Sequence, residues 1–181
     1  MTWNNQDLAI YHGTNTHAFG ATPVLYETLK FSLDWRKCRA NTDFSLGFYA
    51  TTSLHQATQW ANNSVRNLAA KRNAISSKAI VLRFDLDRDE LSKLETLIFV
   101  RDTDDFYNFV AFCRAGGRPH RCADPRRKYD VVFGPVALRM QKHVIQDSDQ
   151  ISFHSQEAAE SLCRKDATVY DIAAAATGLL P

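Results

Sequence analysis

The feature of this sequence that most constrains its fold is the excess of β-prone runs over helical segments. Six runs are rich in β-branched and aromatic residues, at residues 8–12, 47–51, 79–86, 96–100, 129–135 and 150–154. Only three segments have a clear helical pattern, at residues 53–72, 103–115 and 155–162. Several strands therefore follow one another without the crossover helix that a parallel pair requires. The pattern predicts an α+β fold with largely antiparallel sheets rather than a doubly wound α/β fold.

Composition indicates one domain. The chain has 181 residues, of which 45% are hydrophobic and 23% are charged, so it can bury one core and is not expected to be disordered. We expect a single domain over residues 1–165 and a C-terminal tail over residues 166–181, whose Ala-rich sequence is compatible with one short helix. No G-x-G-x-x-G motif occurs, so a dinucleotide would not be bound in the Rossmann manner.

Charge and apolar runs narrow the expected partners and location. The net charge of +2 is too small to indicate nucleic acid or a membrane by itself. No apolar run is long enough for a transmembrane helix, and the first residues lack the pattern of a signal peptide. We therefore expect no membrane partner, and a protein that is cytoplasmic or secreted by a leaderless route.

The four cysteines predict neither a disulfide framework nor a metal site. They are Cys38, Cys113, Cys122 and Cys163, and none are at C-x-x-C spacing. His120 precedes Cys122 by two positions, but no second pair of ligands completes a zinc site. Thiols in a reducing compartment are the expected state.

A first candidate site combines the predicted strand at residues 47–51 with the helix that follows it. Ser53 and Gln56 have the spacing of a capping box, which marks the start of the helix. Tyr49 on the strand and Trp60 on the helix are eleven residues apart. If the chain turns at Thr51, the two rings face each other across a slot suited to a flat heteroaromatic ligand.

The same helix allows a plainer interpretation of Trp60. It shares one helical stripe with four apolar residues, namely Ala57, Ala61, Val65 and Leu68. Apolar stripes usually pack in the core. Under this alternative Trp60 is a core residue and no slot forms.

A second candidate site is the sequence Tyr11-His12-Gly13-Thr14 at the end of the first predicted strand. His12 could hydrogen-bond a ribose hydroxyl, while the backbone N–H and C=O of Gly13 could bind an amide. The alternative is that His12 is a structural residue whose hydrogen bonds are satisfied within the protein.

A third candidate is Gln150, at the start of the last predicted strand. The two-residue period of a strand places Gln150, Ser152 and His154 on one face and the apolar Ile151 and Phe153 on the other. The polar face either points into a cleft or is the solvated face of an edge strand.

These blocks together resemble a known family. His12-Gly13-Thr14 after an early strand, the segment 47–52 with an aromatic residue eleven positions beyond its Tyr, and the late strand have the order and spacing of the diphtheria-toxin-like ADP-ribosyltransferases. This is the His-Tyr-Glu class, which includes the poly-ADP-ribose polymerases. Segments 43–49, 106–114 and 129–135 resemble a little-characterised microbial family of that class, and the likeness covers residues 8–163.

The resemblance implies a fold and a set of roles. The fold would be a split β-sandwich of two small, largely antiparallel sheets with flanking helices. His12 would bind the adenosine ribose of NAD, Gly13 would bind the nicotinamide carboxamide, and Tyr49 and Trp60 would sandwich the nicotinamide ring. Gln150, together with His12 and Tyr49, would form the catalytic set. Contacts to NAD are also implied for two neighbouring hydroxyl residues, Thr14 and Thr51.

Gln150 departs from the family pattern, because members of this class have a catalytic Glu at the corresponding position. A neutral Gln retains a hydrogen bond to the ribose but loses the negative charge that faces the oxocarbenium-like cation. Losing one preorganised electrostatic partner costs about a hundred- to a thousand-fold in rate. Members of this class without the Glu tend to transfer single ADP-ribose units, so the resemblance implies no chain elongation. Because Gln150 lacks the charge, Gln150→Glu is expected to raise turnover. Asp149 is not a candidate for the catalytic acid, because it lies on the opposite face of the strand from Gln150, with Ile151.

The resemblance implies a mono-ADP-ribosyltransferase that uses NAD as co-substrate, with NAD hydrolysis as a side activity. The acceptor would be a macromolecule, either protein or nucleic acid, and the enzyme could be a toxin or effector with a neutralising partner protein. A basic loop at residues 114–128 could steer an acidic acceptor, or it is simply a solvated surface. Two alternatives stay open. They are a non-catalytic NAD or ADP-ribose binding module and an RNA 2′-phosphotransferase, for which Arg36, Arg39 and Arg83 are candidates.

Overall fold

The computed structural model describes residues 7–19, 28–29, 33, 38–71, 77–116, 129–138, 142–163 and 167–171. The strands in these ranges are β1 (Leu8–Asn15), β2 (Thr28–Leu29), β3 (Phe48–Ala50), β4 (Ala79–Leu86), β5 (Thr96–Ile98), β6 (Val131–Ala137), β7 (Val144–Phe153) and β8 (Ala167–Asp171). The helices are α1 (Thr16–Phe19), α2 (Leu54–Lys71), α3 (Arg88–Leu91), α4 (Asp104–Arg114) and α5 (Gln156–Cys163).

The strands form two four-stranded sheets. The first has the order β1-β4-β8-β2 and the second has the order β3-β7-β6-β5. All pairs are antiparallel except β5 with β6, which is parallel. The prediction of an α+β fold with two small, largely antiparallel sheets and flanking helices is confirmed.

Strand β1 connects the two sheets. It pairs with β4 along its whole length, and on its other edge Tyr11 exchanges two backbone hydrogen bonds with Thr51, at 2.8 and 2.9 Å. In an antiparallel strand the N–H and C=O of one residue point to the same side, and the side alternates along the strand. Odd-numbered residues of β1 therefore point away from β4. The bond from Thr16 N–H to the Lys78 carbonyl agrees with even-numbered residues pointing towards β4.

The core has the composition that the strand and helix patterns predict. Strand β4 has the predicted bounds, residues 79–86, and the even-numbered apolar residues Ile80, Leu82, Phe84 and Leu86 pack in the main core cluster with side chains of β7 and α5. Helix α4 begins after Thr103, whose hydroxyl accepts from the Phe106 N–H. It buries the four residues expected to face inward, Phe106, Phe109, Val110 and Cys113. The predicted inward face of α4 is confirmed.

Strand β7 is a central strand and not an edge strand. It begins six residues earlier than predicted, at Val144, and it lies between β3 and β6. Residues 150–153 are all buried, because both faces and both edges of this part of the strand are covered. The solvated-edge alternative for Gln150 is therefore wrong.

The segment after residue 165 also contributes to the fold. Residues 167–171, which were expected in the C-terminal tail, form β8 between β4 and β2. Ala167 and Val169 are buried in the main core. This corrects the expected boundary between domain and tail. No helix in the described ranges is long and apolar enough to cross a membrane.

Candidate functional site

A cleft of about 1080 Å³ is lined by residues of both sheets and of α2. Six of the seven residues expected at the site line it, namely His12, Gly13, Thr14, Tyr49, Trp60 and Gln150. The exception is Thr51, which is fully buried. Its hydroxyl lies 2.7 Å from Asp149 Oδ1 and 3.1 Å from Gln56 Oε1. Thr51 therefore stabilises the turn behind the cleft, which corrects its expected role as a contact to NAD.

Asp149 and Gln56 hold this turn against β7. The Asp149 carboxylate accepts hydrogen bonds from the N–H and hydroxyl of Thr52. The Gln56 side chain donates to the Asp149 carbonyl at 2.7 Å and accepts from its N–H at 3.1 Å. Only half of the predicted capping box forms, because Ser53 Oγ accepts from the Gln56 N–H at 3.2 Å while the Gln56 side chain is used elsewhere. Asp149 does not line the cleft.

His12 is held by the backbone of β3. Its Nδ1 lies 2.6 Å from the Tyr49 carbonyl oxygen, and its ring centroid is 4.5 Å from that of Phe48. A carbonyl oxygen only accepts hydrogen bonds, so Nδ1 carries the proton and Nε2 of the neutral ring is an acceptor. Burial lowers the pKa of His12 below its ordinary value of 6.5, and the bond to Tyr49 offsets this only in part. His12 is therefore a neutral acceptor near neutral pH.

Gly13 lies where β1 and β3 separate. Continuing the register of Tyr11 and Thr51 would oppose Gly13 to Tyr49, but the Tyr49 carbonyl accepts from His12 instead. Because Gly13 is an odd-numbered residue of β1, its N–H and C=O both point away from β4. This places one donor and one acceptor side by side on an edge that lines the cleft.

A separate constraint makes Gly13 a glycine. A Cβ at this position would lie 2.0 Å from the Ala57 carbonyl oxygen and 2.8 Å from the Ala61 nitrogen, both in the backbone of α2. Helix α2 therefore packs directly on the backbone of β1, and no side chain fits between them.

The phenol of Tyr49 is fixed by the loop before β3. Its oxygen lies 2.7 Å from Thr42 Oγ1, accepts from the Phe44 N–H at 3.0 Å and donates to the Ser45 carbonyl at 2.7 Å. Burial is the main cause that raises the pKa of Tyr49 above its ordinary value. Tyr49 is therefore a neutral phenol whose ring forms a rigid part of the cleft wall.

Trp60 belongs to the cleft and not to the core. The α2 residues that are buried in this core cluster are Ala57 and Ala61, which pack with Val81 of β4, and Trp60 is not among the residues that pack against them. Trp60 is half-buried and lines the cleft. The alternative interpretation of Trp60 as a core residue is wrong. Both aromatic residues of the predicted slot, Tyr49 and Trp60, thus line the same cleft.

Gln150 is buried, with 4% of its surface exposed. Its Nε2 donates to Asp43 Oδ2 at 2.8 Å and to the Pro135 carbonyl at 2.9 Å. Both partners are acceptors, which identifies the nitrogen of the amide and leaves Oε1 as the atom available to the cleft.

Asp43 is a site residue that the motifs did not reveal. Its Oδ1 accepts from Arg114 Nε at 3.1 Å and Nη2 at 2.7 Å, and its Oδ2 accepts from the Ala137 N–H at 3.0 Å. Arg114 also donates to the carbonyls of Ala137 and Leu138. One signal in the sequence does point to Asp43, because it is the only acidic residue between positions 35 and 84.

The arginines are distributed differently from what was expected. Arg39 lines the cleft, and so does Arg114, which ends α4 and pairs with Asp43. Arg114 is therefore not part of a free basic loop, and residues 117–128 of that loop lie outside the described ranges. Arg83 pairs with Asp85 on the surface of β4. Arg36 lies outside the described residues.

Polar residues on β1 and α2 extend the cleft beyond His12. Asn15, Ser64 and Asn67 line it, and Asn15 Nδ2 donates to Ser64 Oγ at 2.5 Å. The spacing of Ser64 and Asn67 from Trp60 on one helix face would have indicated them once Trp60 was known to face the cleft.

Side chains that can bind a metal do not cluster in the described part of the chain. No group of three or more His, Cys, Asp or Glu side chains in that part of the chain could hold a metal ion. Cys38 and Cys113 form no disulfide. Cys122 and the side chain of Cys163 lie outside what the structure describes.

The fold and the site define an α+β protein of two small sheets with a cleft at the point where β1 and β3 separate. The chain belongs to a family of proteins of unknown function, DUF3990, whose family model matches residues 8–162. Comparison with curated proteins and with solved structures gave no match.

Proposed function

We propose that this protein is an NAD-dependent mono-ADP-ribosyltransferase that transfers ADP-ribose to a macromolecular acceptor, with NAD hydrolysis as a side activity. The observation that supports this most is that His12, Gly13, Tyr49, Trp60 and Gln150, which are far apart in sequence, line one cleft. These are the residues to which the resemblance assigns the binding and cleavage of NAD.

The nicotinamide end of NAD matches the part of the cleft around Gly13. A carboxamide carries one acceptor oxygen and one N–H donor, and the N–H and C=O of Gly13 offer the complementary pair. Tyr49 is fixed by three hydrogen bonds, so its ring is a preorganised surface for a flat heteroaromatic ring. Trp60 supplies the second aromatic surface.

His12 suits the adenosine ribose. Its neutral ring has Nδ1–H committed to the Tyr49 carbonyl, so Nε2 accepts a hydrogen bond from a ribose hydroxyl. A charged imidazolium would lack this acceptor. The lowered pKa of His12 therefore favours the form that binds a sugar.

The reaction breaks the bond between the nicotinamide nitrogen and the ribose carbon, and the bonding electron pair leaves with nicotinamide. The ribose then carries positive charge until an acceptor oxygen or nitrogen attacks it and loses a proton. Gln150 Oε1 would accept the hydrogen bond of the nearby ribose hydroxyl and direct partial negative charge at the cation. Because an amide is neutral, we expect slow turnover and no chain elongation.

One observation favours a second candidate, a module that binds NAD or ADP-ribose without cleaving it. Gln150 is a neutral amide, and both of its Nε2 hydrogens are donated to protein acceptors. No ionised side chain at position 150 therefore faces the cation. An RNA 2′-phosphotransferase has less support, since only Arg39 of its three candidate arginines lines the cleft. A toxin or effector role, a neutralising partner and the choice between a protein and a nucleic-acid acceptor remain predictions.

The test is release of nicotinamide from labelled NAD by the full-length protein, with and without a cell lysate. Protease and nuclease treatment of the labelled product then distinguishes a protein from a nucleic-acid acceptor. NAD binding measured by calorimetry, with no nicotinamide released over hours, would support the binding module instead. A protein that neither binds nor cleaves NAD would contradict both.

His12→Ala provides the matched comparison. It should abolish nicotinamide release, because the ribose loses its acceptor and Tyr49 loses the partner of its carbonyl. His55→Ala is the control, since His55 is exposed on α2 and contacts Gln59. Undiminished release by His12→Ala would remove His12 from the site.

A further inference from the structure

The environment of Gln150 is specific for an amide. Two acceptors converge on Nε2, the Asp43 carboxylate and the Pro135 carbonyl, at 2.8 and 2.9 Å. Both hydrogens of the nitrogen are therefore used. No buried polar side-chain atom of the described residues lacks a hydrogen-bond partner, and no donor in that part of the chain contacts Oε1. The amide oxygen is consequently accessible from the cleft that Gln150 lines.

Asp43 is held rigidly in this position. Arg114 contacts Oδ1 through two nitrogens, and the Ala137 N–H and the Gln150 amide contact Oδ2. The Asp43 side chain is 13% exposed and that of Arg114 is 26% exposed. Charge-assisted hydrogen bonds of this kind are short and directional. Asp43 therefore cannot turn away without breaking its hydrogen bonds to Arg114, to the Ala137 N–H and to the Gln150 amide.

An ionised glutamate does not fit the same place. Its second carboxylate oxygen would take the position of Nε2, within 3 Å of both the Asp43 carboxylate and the Pro135 carbonyl. Three acceptors would then meet without a hydrogen between them, and two of them would be negatively charged. Gln150 is therefore the residue that its neighbours require, and the expectation that Gln150→Glu raises turnover is revised.

We propose that Asp43 is a positioning residue which, together with Gln150, takes the place of a single catalytic glutamate. Asp43 fixes the amide so that Oε1 faces the ribose hydroxyl, and its charge polarises the amide towards the cleft. Gln150 makes the contact to the substrate, and Arg114 holds Asp43 in place. This inference rests on the proposed function, because the ribose is that of NAD.

The experiment measures nicotinamide release from NAD by the wild type, Asp43→Asn, Gln150→Glu and the double variant. Asp43→Asn should lower kcat about ten- to a hundredfold, the effect of losing a hydrogen bond to a charged group, and should leave KM within about twofold. Gln150→Glu should also be slower than the wild type. The double variant should partly recover, because the amide introduced at position 43 can donate to the new carboxylate while the Pro135 carbonyl still opposes it.

Asp85→Asn is the matched control. Asp85 also pairs with an arginine, Arg83, but on the exposed surface of β4, so this variant should retain the wild-type kcat. Thermal melting of every variant shows which of them fold. The side-chain amide hydrogens of Gln150, observed in ¹⁵N-resolved NMR spectra, give a readout that needs no activity. They should exchange slowly with solvent in the wild type and faster in Asp43→Asn.

The outcomes separate the two proposals. A wild type that neither binds nor cleaves NAD overturns the proposed function. An active wild type with an equally active Asp43→Asn overturns only the role of Asp43. If Asp43→Asn does not fold, Gln150→Glu decides, because a tenfold gain in kcat would mean that the site does not require an amide. A slower Gln150→Glu with recovery in any folded double variant supports the inference.

Discussion

His12 and Tyr49 are joined by a hydrogen bond of 2.6 Å from the imidazole Nδ1 to the backbone carbonyl, although 37 residues separate them in sequence. This bond lies where β1 and β3 separate. It takes the place of the backbone pairing between Gly13 and Tyr49 that would otherwise continue the register of Tyr11 and Thr51. The same contact orients the imidazole and keeps the edge of Gly13 open. The predictions below test the parts of this arrangement.

The protonation of His12 should make stability depend on pH. Burial lowers the pKa of His12 in the folded protein below the ordinary value of 6.5, so the unfolded chain binds a proton more readily. The free energy of unfolding should therefore fall as the pH decreases from about 6.5 towards the folded-state pKa of His12. Well above pH 6.5, His12 is neutral in both states and should not make the free energy of unfolding depend on pH. Urea unfolding between pH 7.5 and 5.5 measures this.

His12→Gln should show a shallower loss over the same range, since its amide can donate to Tyr49 but does not titrate. His55→Gln, at an exposed position, serves as the comparison. Equal pH dependence in the wild type and His12→Gln would show that His12 does not contribute.

Gly13→Ala should destabilise the fold. The new Cβ would lie 2.0 Å from a backbone oxygen of α2, so β1 and α2 would have to move apart. Overpacking of this kind costs about 3 kcal/mol in free energy of unfolding. Denaturant unfolding checks the value, with Gly116→Asn as a comparison at a glycine with φ of +83°, where a Cβ would lie 3.5 Å from Asn41 Oδ1, an ordinary van der Waals contact. A Gly13→Ala protein as stable as the wild type would mean that α2 does not pack so closely.

Tyr49→Phe should lower stability while keeping the ring. The Phe44 N–H and the Ser45 carbonyl each lose a partner, which costs about 1–3 kcal/mol. NAD affinity by calorimetry should change by less than about tenfold, or 1.4 kcal/mol. Tyr107→Phe is the control, because that hydroxyl contacts the exposed Asp102, and it should melt like the wild type.

Trp60→Ala should weaken NAD binding with little effect on folding. Loss of one stacked aromatic ring costs about 1–3 kcal/mol, or roughly five- to 150-fold in affinity. The melting temperature should stay close to that of the wild type, because Ala57 and Ala61 carry the packing of α2. Trp60→Phe should retain most of the affinity. If calorimetry finds Trp60→Ala binding NAD as tightly as the wild type, the ring does not contact the ligand.

Much of the fold follows from local patterns. The β-branched run at residues 79–86 forms β4 with the predicted bounds, and the helical period of α4 identifies its buried face. These predictions succeed because a side chain's direction depends on backbone geometry that the local sequence specifies. Strand β8 had only a weak signal. Thr168, Val169 and Tyr170 are β-prone residues, but the run is short and is followed by an Ala-rich segment, and its pairing with β4 and β2 decides its conformation.

The site divides in the same way. Sequence alone identified five residues that line the cleft, namely His12, Gly13, Tyr49, Trp60 and Gln150. What faces Gln150 depends on tertiary packing, because Asp43 comes from a loop, Arg114 from the end of α4 and Pro135 from β6. No spacing rule relates these three segments. The reason is physical: hydrogen bonds between distant side chains depend on how sheets and helices pack, and here that packing determines which atom of the Gln150 amide is held by the protein.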